Sequence, residues 1–238
     1  MRKTTYYTVQ AEVTDLRSEP TWRPFCTNGH DRRRESQLLQ GTCLHGIQEK
    51  DGWIEVEVPY QKRGEGLAPY RGWVYSAHVS PSSDCSCISP GAEGSVQDLI
   101  DRAKSYLGTP YLWGGMSFAG MDKEVERGID CSALVYQAFL TAGMVLPRNA
   151  SDQYRVGHRI EKLLPGDLIF MGNPTIYHVL LWDGEQLIEA TDLEEGVVRS
   201  ISFSLRFNLE LEKAYDGVET EGGKLFFRRL LSPAAGPA

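Results

Sequence analysis

From Gly128 the chain reads Gly-Ile-Asp-Cys-Ser-Ala-Leu-Val-Tyr-Gln-Ala-Phe, and the apolar residues Leu134, Val135, Ala138, Phe139 and Ala142 recur at helical spacing. Asp130 stands where a side-chain oxygen can accept from first-turn amides. A helix is therefore expected to begin at Cys131 and to bury the face that carries Leu134 and Phe139. That places a thiol at the positive end of a helix dipole, where the thiolate is favoured over the thiol. A lone cysteine before a helix more often packs as a small hydrophobe. The rest of the chain has to decide between these readings.

The surroundings predict an α+β chain in two parts. Residues 8–16, 43–48, 53–58 and 72–79 are rich in Val, Ile, Trp and Tyr and bounded by turn residues, as in a small all-β barrel, and Asp51-Gly52 is a hairpin signal between two of them. Residues 81–92 are poor in large apolar residues and read as a linker between a first domain over 1–80 and a second over 93–232. The second domain opens with a helix carrying Val96, Leu99, Ile100, Ala103 and Leu107, with Gly108 as its stop. After the Cys131 helix come strands at Leu168-Ile169-Phe170, at Tyr177 onward to Trp182, at Gln186 to Ala190, and over 197–203 and 225–230. Helices followed by antiparallel strands make the second domain helix-on-sheet. Residues 116–127 read as a polar insertion, and the Pro/Ala tail from Ser232 as frayed.

Charge and cysteines exclude several functions. A net charge of -7 over 238 residues argues against a nucleic-acid partner, and Arg32-Arg33-Arg34 reads as a solvated loop. No segment has the length of a membrane span. The five cysteines, an odd number with no apolar signal at the start, favour free thiols and a cytoplasmic protein unless a leader has been removed. Cys85-Ser86-Cys87 lacks a second cysteine pair or a nearby histidine, so no zinc site is expected there.

A thiolate that cleaves an amide needs an imidazole to supply the leaving amine with a proton, and a group that orients the imidazole. His30, His45 and His78 fall in the barrel and His158 in a polar connection, which leaves His178 at the start of a strong strand in the domain of Cys131. Glu189 stands on the next strand across a tight turn, where facing side chains lie roughly 5 Å apart between Cβ atoms. A carboxylate within Leu187-Ile188-Glu189-Ala190 requires a partner if that strand is buried.

The first domain resembles bacterial SH3 domains through Asp15-Leu16-Arg17-Ser18-Glu19-Pro20, Glu35-Ser36-Gln37-Leu38-Leu39-Gln40-Gly41, Asp51-Gly52-Trp53-Ile54-Glu55-Val56 and Tyr70-Arg71-Gly72-Trp73-Val74. It departs from them in an Arg-rich insert before Glu35 and a long loop over 61–69. Residues 95–203 resemble the NlpC/P60 family of cysteine peptidases through six motifs in family order. These are Gly108-Thr109-Pro110-Tyr111-Leu112-Trp113-Gly114-Gly115, Asp130-Cys131-Ser132, Leu146-Pro147-Arg148, Pro165-Gly166-Asp167-Leu168-Ile169-Phe170, His178-Val179 and Ile188-Glu189-Ala190. Two departures are Glu189, where the family usually has His, and Ala133, where it usually has Gly.

The resemblance implies a papain-like catalytic domain preceded by a small SH3-like barrel. It implies Cys131 as nucleophile, His178 as general base and then acid, Glu189 as the group orienting His178, and Tyr111 and Trp113 lining the cleft. The implied reaction cuts the γ-D-glutamyl–diamino acid bond of peptidoglycan stem peptides in cell-wall turnover or recycling. This implied cysteine chemistry needs no metal and no cofactor. By motif position, Glu35, Tyr70, Asp130, Ser132 and Ser151 would hold a free N-terminal L-alanine, and ammonium capture needs carboxylates and hydroxyls without a competing cation. The partner is then a muropeptide. Two other readings remain open: a wall-binding or regulatory module made inactive by Glu189, and a papain-like amidase or acyltransferase acting on another amide.

Overall fold

The computed structural model describes residues 5–83, 94–118, 125–193 and 195–231. Most of the expected linker, with Cys85-Ser86-Cys87, the middle of the insertion and the tail from Ser232 lie outside these residues.

The first unit comprises β1 (Thr5–Val9), β2 (Val13–Arg17), β3 (Cys26–Thr27), β4 (His30–Asp31), β5 (Arg34–Leu39), β6 (Cys43–Lys50), β7 (Trp53–Arg63), β8 (Ala68–Tyr75) and β9 (Val79–Ser82). Among the described residues β5-β2-β8-β7-β6-β1-β9 form one sheet, with β3 and β4 paired apart from it. The sheet encloses a core of Leu16, Leu38, Leu44, Val56, Val58 and Val74. The strand expected over 8–16 is two strands, because the polar Gln10-Ala11-Glu12 turns the chain and the amides of Gln10 and Ala11 both donate to the His78 carbonyl. Asp51 and Gly52 take φ of 50° and 81°, and the positive φ at both positions is what a two-residue hairpin between β6 and β7 demands.

Helices and strands alternate less regularly in the second unit: α1 (Val96–Lys104), α2 (Cys131–Thr141), α3 (Ala150–Val156), β10 (His158–Arg159), β11 (Leu168–Gly172), β12 (Ile176–Trp182), β13 (Leu187–Ala190), β14 (Val198–Ile201), α4 (Phe203–Phe207), β15 (Glu219–Thr220) and β16 (Gly223–Arg229). The antiparallel sheet runs β10-β16-β11-β12-β13-β14, with β15 on β16. One face packs on α1, α2 and α3 through Val179, Leu181, Ile188 and Ala190, and the other packs on α4 through Leu180, Trp182 and Leu187. Helices on a sheet is the architecture expected. α2 is buried from Cys131 through Phe139 rather than along one face, because its polar residues meet the first unit: the Tyr136 hydroxyl donates to the Tyr60 carbonyl at 3.0 Å.

Four expectations are corrected. No element was expected between the Cys131 helix and the strand at Leu168, and the structure has α3 there, with Ser151 on it. The strand expected over 197–203 stops at Ile201, where Ser202 accepts from the Leu205 amide and caps α4. Arg32-Arg33-Arg34 is not a solvated loop: Arg34 is buried in β5 against Asp15, Arg33 pairs with Glu19, and the Arg32 guanidinium lies 4.1 Å from the centre of the Trp113 ring. Cysteine counting failed at Cys43, which is buried and disulfide-bonded, while Cys26 and Cys131 are free. The number of cysteines does not reveal which of them meet in space.

Candidate active site

Asp130 builds the start of α2. Its Oδ1 accepts from the Ala133 amide at 2.8 Å, which is the capping bond, and from the Ser132 hydroxyl at 3.0 Å. Its Oδ2 accepts from the Gly114 amide at 3.1 Å and from Arg148 at 2.7 Å. Gly114 has φ of +75°, and a Cβ there would stand 2.9 Å from the Arg34 carbonyl, so this loop needs glycine to pass between the two units. The Arg148 side chain, fully enclosed, also donates to Ser36 at 2.9 Å and to Ser132 at 2.9 Å. Cys131 is thus fixed at a helix start whose first-turn amides lack intrahelical carbonyl partners.

His178 lies on β12, close enough to Cys131 for the two side chains to interact. Its Nε2 is 2.8 Å from Oε2 of Glu189. The strand register pairs Leu181 with Ile188, so its continuation puts Glu189 opposite Leu180, two residues beyond His178 on the same face. The pair is therefore diagonal, not directly opposed as the turn suggested. Glu189 has no solvent exposure. Its Oε1 accepts from Arg199 at 3.0 Å and from Arg206 at 2.9 Å. Arg199 is the direct neighbour of Glu189 on β14, and Arg206 comes from α4. Burial alone would raise the Glu189 pKa, but the His178 bond and charge and the Arg206 charge outweigh it and hold the carboxyl at about 2. Burial opposes the charge on His178 too, yet the Cys131 and Glu189 charges and hydrogen bonds push its pKa up to about 9. The arrangement favours a charged imidazole held against the Glu189 carboxylate.

A cavity of about 780 Å³ opens at Cys131, and Glu35, Tyr70, Tyr111, Trp113, Asp130, Ser132 and Ser151 all line it. The fold therefore brings together every substrate residue expected from the sequence, from both units. Their availability differs. The Asp130 carboxylate is engaged by Arg148, Gly114, Ser132 and Ala133. Glu35 pairs with Arg63 at 3.1 Å on the more open side. The Tyr70 hydroxyl donates to Asn149 at 3.0 Å. Burial, followed by the Cys131 and Asp130 charges, raises the pKa of Tyr111, which keeps its proton and can donate beside the sulfur. Among the described residues no group of three or more His, Cys, Asp or Glu is arranged to hold a metal ion.

Three residues here were not anticipated in their roles. Arg148 was visible only as part of a motif, and Arg199 and Arg206 carried no local signal. One clue did exist, since a carboxylate on a fully apolar strand calls for a cation.

Residues 108–206 match the family described as NlpC/P60. The chain is 33% identical over 111 residues to the probable endopeptidase NlpC of Escherichia coli, covering 44% of this chain and 67% of that one. It belongs to the NlpC/P60 family. It is also 41% identical over 108 residues to peptidoglycan endopeptidase RipB of Mycobacterium tuberculosis, covering 42% and 45% of the two chains. Over 173 residues it is 29% identical to gamma-D-glutamyl-L-lysine dipeptidyl-peptidase of Bacillus subtilis, covering 70% and 49%. The chain thus spans about half the length of these last two relatives. In fold it resembles an NlpC/P60 family protein from Bacillus cereus, with a TM-score of 0.72 at 18% identity over 95% of this chain and 100% of that one. NlpC/P60 peptidases are cysteine peptidases, which fits a free thiol at the head of α2.

Proposed function

We propose that the chain is a cysteine peptidase that cuts the γ-D-glutamyl–diamino acid bond of peptidoglycan stem peptides and prefers a free N-terminal L-alanine. The observation that carries this reading is the string from Cys131 through His178 to Glu189, with the 2.8 Å bond holding the imidazole. The Cys131 thiolate attacks the γ-carbonyl, amides at the start of α2 and the Tyr111 hydroxyl face the developing oxyanion, and His178 protonates the departing amine. Water then hydrolyses the thioester with His178 as base. The printed names of the relatives support the bond class: one is a gamma-D-glutamyl-L-lysine dipeptidyl-peptidase, and another a peptidoglycan endopeptidase.

In this reading the first unit is a bacterial SH3-type domain that closes one end of the cleft. Because Asp130 is occupied by Arg148, capture of the ammonium falls to Glu35 with Tyr70 and Ser151, and Arg63 must yield Glu35 to the substrate. The Cys43 disulfide favours an oxidising compartment over the cytoplasm, where thiols are kept reduced.

Incubation with L-Ala-γ-D-Glu-meso-diaminopimelate and mass analysis tests the proposal. Release of L-Ala-D-Glu is expected, with the N-acetylated tripeptide cut about a hundredfold more slowly, because acetylation removes a charge-assisted bond and adds bulk. Equal rates on blocked and free peptides would remove the ammonium site. No cleavage of either, with no covalent labelling at Cys131, would instead favour an inactive wall-binding module.

A further inference from the structure

The catalytic cavity is lined by Arg32, Arg34, Arg63, Arg148 and Arg155 against the carboxylates Glu35, Asp130 and Asp152. Four of the five arginines are committed: Arg34 to Asp15 and Glu126, Arg63 to Glu35, Arg148 to Asp130 and Arg155 to Asp152. Among the described residues Arg32 makes no ion pair or hydrogen bond through its side chain, and its guanidinium rests over the Trp113 ring at 4.1 Å. Such stacking restrains the guanidinium while leaving its in-plane N–H groups free, which is the geometry that accepts a carboxylate side-on. Arg32 comes from the segment that joins β4 to β5, part of the Arg-rich insert by which the first unit departs from the bacterial SH3 domains it resembles.

We propose that Arg32 is a specificity-determining residue that binds a free carboxylate of the substrate, so that the enzyme distinguishes acid from amidated stem peptides. The inference rests on the peptidase reading above. A γ-D-glutamyl–diamino acid substrate carries two carboxylates near the scissile bond: the D-Glu α-carboxylate on the acyl side and the diamino acid α-carboxylate on the amine side. Both offer the same two oxygens to a guanidinium, and the bond to Arg32 is charge-assisted.

Three peptides separate the cases: L-Ala-γ-D-Glu-L-Lys, the same peptide with the D-Glu α-carboxylate amidated, and the same with the lysine carboxylate amidated. The wild-type enzyme is expected to lose at least about tenfold in kcat/KM on one of the amidated peptides, which names the carboxylate. Arg32→Gln is expected to lose about as much on the all-acid peptide, to leave the rate on that amidated peptide unchanged, and so to abolish the discrimination. Arg32→Lys keeps the charge and should retain part of it. An equal loss by Arg32→Gln on all three peptides, or wild-type indifference to both amidations, overturns the proposal. Cleavage of none by the wild type overturns the peptidase reading instead. In that event, binding of the same peptides to the Cys131→Ala protein, with and without Arg32→Gln, still decides whether Arg32 reads a carboxylate.

Discussion

The cysteine, the histidine and the glutamate share one proton economy. Because the pKa of His178 is raised from 6.5 to about 9, its charge is kept through neutral pH. The stability gained from the charged imidazole is full below its unfolded value and is lost as pH rises through about 9. Glu189 has the opposite sign: with a pKa lowered from 4.5 to about 2, its contribution is full above 4.5 and is lost as pH falls towards 2. Cys131→Ala is therefore expected to abolish turnover, to leave the fold intact, and to lower the His178 pKa, since the sulfur is the leading influence that raises it. NMR titration of the His178 ring checks the last point, and an unchanged value would mean that the thiol does not charge the imidazole. Glu189→Gln should cost more than about tenfold in kcat, at least ~1.4 kcal/mol, and move the alkaline limb of the pH–rate profile to lower pH. Arg206→Met acts through Glu189, which it leaves with less positive charge, so the acid limb should rise with only a partial loss of rate. A fall in rate with both limbs unmoved would make Arg206 merely structural.

At the level of elements, the start of α2 depends on one carboxylate with two duties, capping the helix and neutralising Arg148. Asp130→Asn keeps an oxygen for the Ala133 amide but leaves a guanidinium that is 1% exposed without its counter-charge. Stranding a buried charge in this way costs about 3–5 kcal/mol, so urea denaturation should show a lowered midpoint as well as lost activity. A stable but inactive Asp130→Asn would return Asp130 to the role of substrate ligand. This element also shows what was legible in the sequence. The periodic apolar run and the Asp before Cys131 gave the helix and its cap, and Asp51-Gly52 gave its hairpin, because those signals are local. α4 was hidden because Ile201, Phe203 and Leu205 alternate with Ser202, Ser204 and Arg206 like a strand, and a helix of five residues has no room for a helical period. His178 and Glu189 were readable as a pair on neighbouring strands. The diagonal register and the arginines were not, since register and long-range ion pairs are set by packing that no local pattern encodes.

Across the whole molecule the two units are joined by buried polar bonds rather than by a surface that could slide. Gln37 of β5 has no solvent exposure, donates to the Glu126 carbonyl at 2.6 Å, and accepts from the Met116 amide at 3.2 Å and the Ser117 hydroxyl at 3.1 Å. Arg148 donates to Ser36 at 2.9 Å, and its amide donates to the Lys62 carbonyl at 2.8 Å. Arg148 itself lines the cavity that both units share, so separating the units would expose buried donors and dismantle the site in the same step. Unfolding is therefore expected as one transition, with near-UV signals from Trp53 in the first unit and Trp182 in the second changing at the same denaturant concentration. Gln37→Leu removes three cross-unit bonds and leaves the Met116 amide and the Glu126 carbonyl without their partner. It should destabilise the protein by a few kcal/mol, about 1–3 for each group left unsatisfied, and split the transition or reduce its steepness. A wild-type protein that already unfolds in two steps would mean that the units fold independently and that the cavity is assembled by docking. In that case Gln37→Leu should raise KM far more than it lowers kcat.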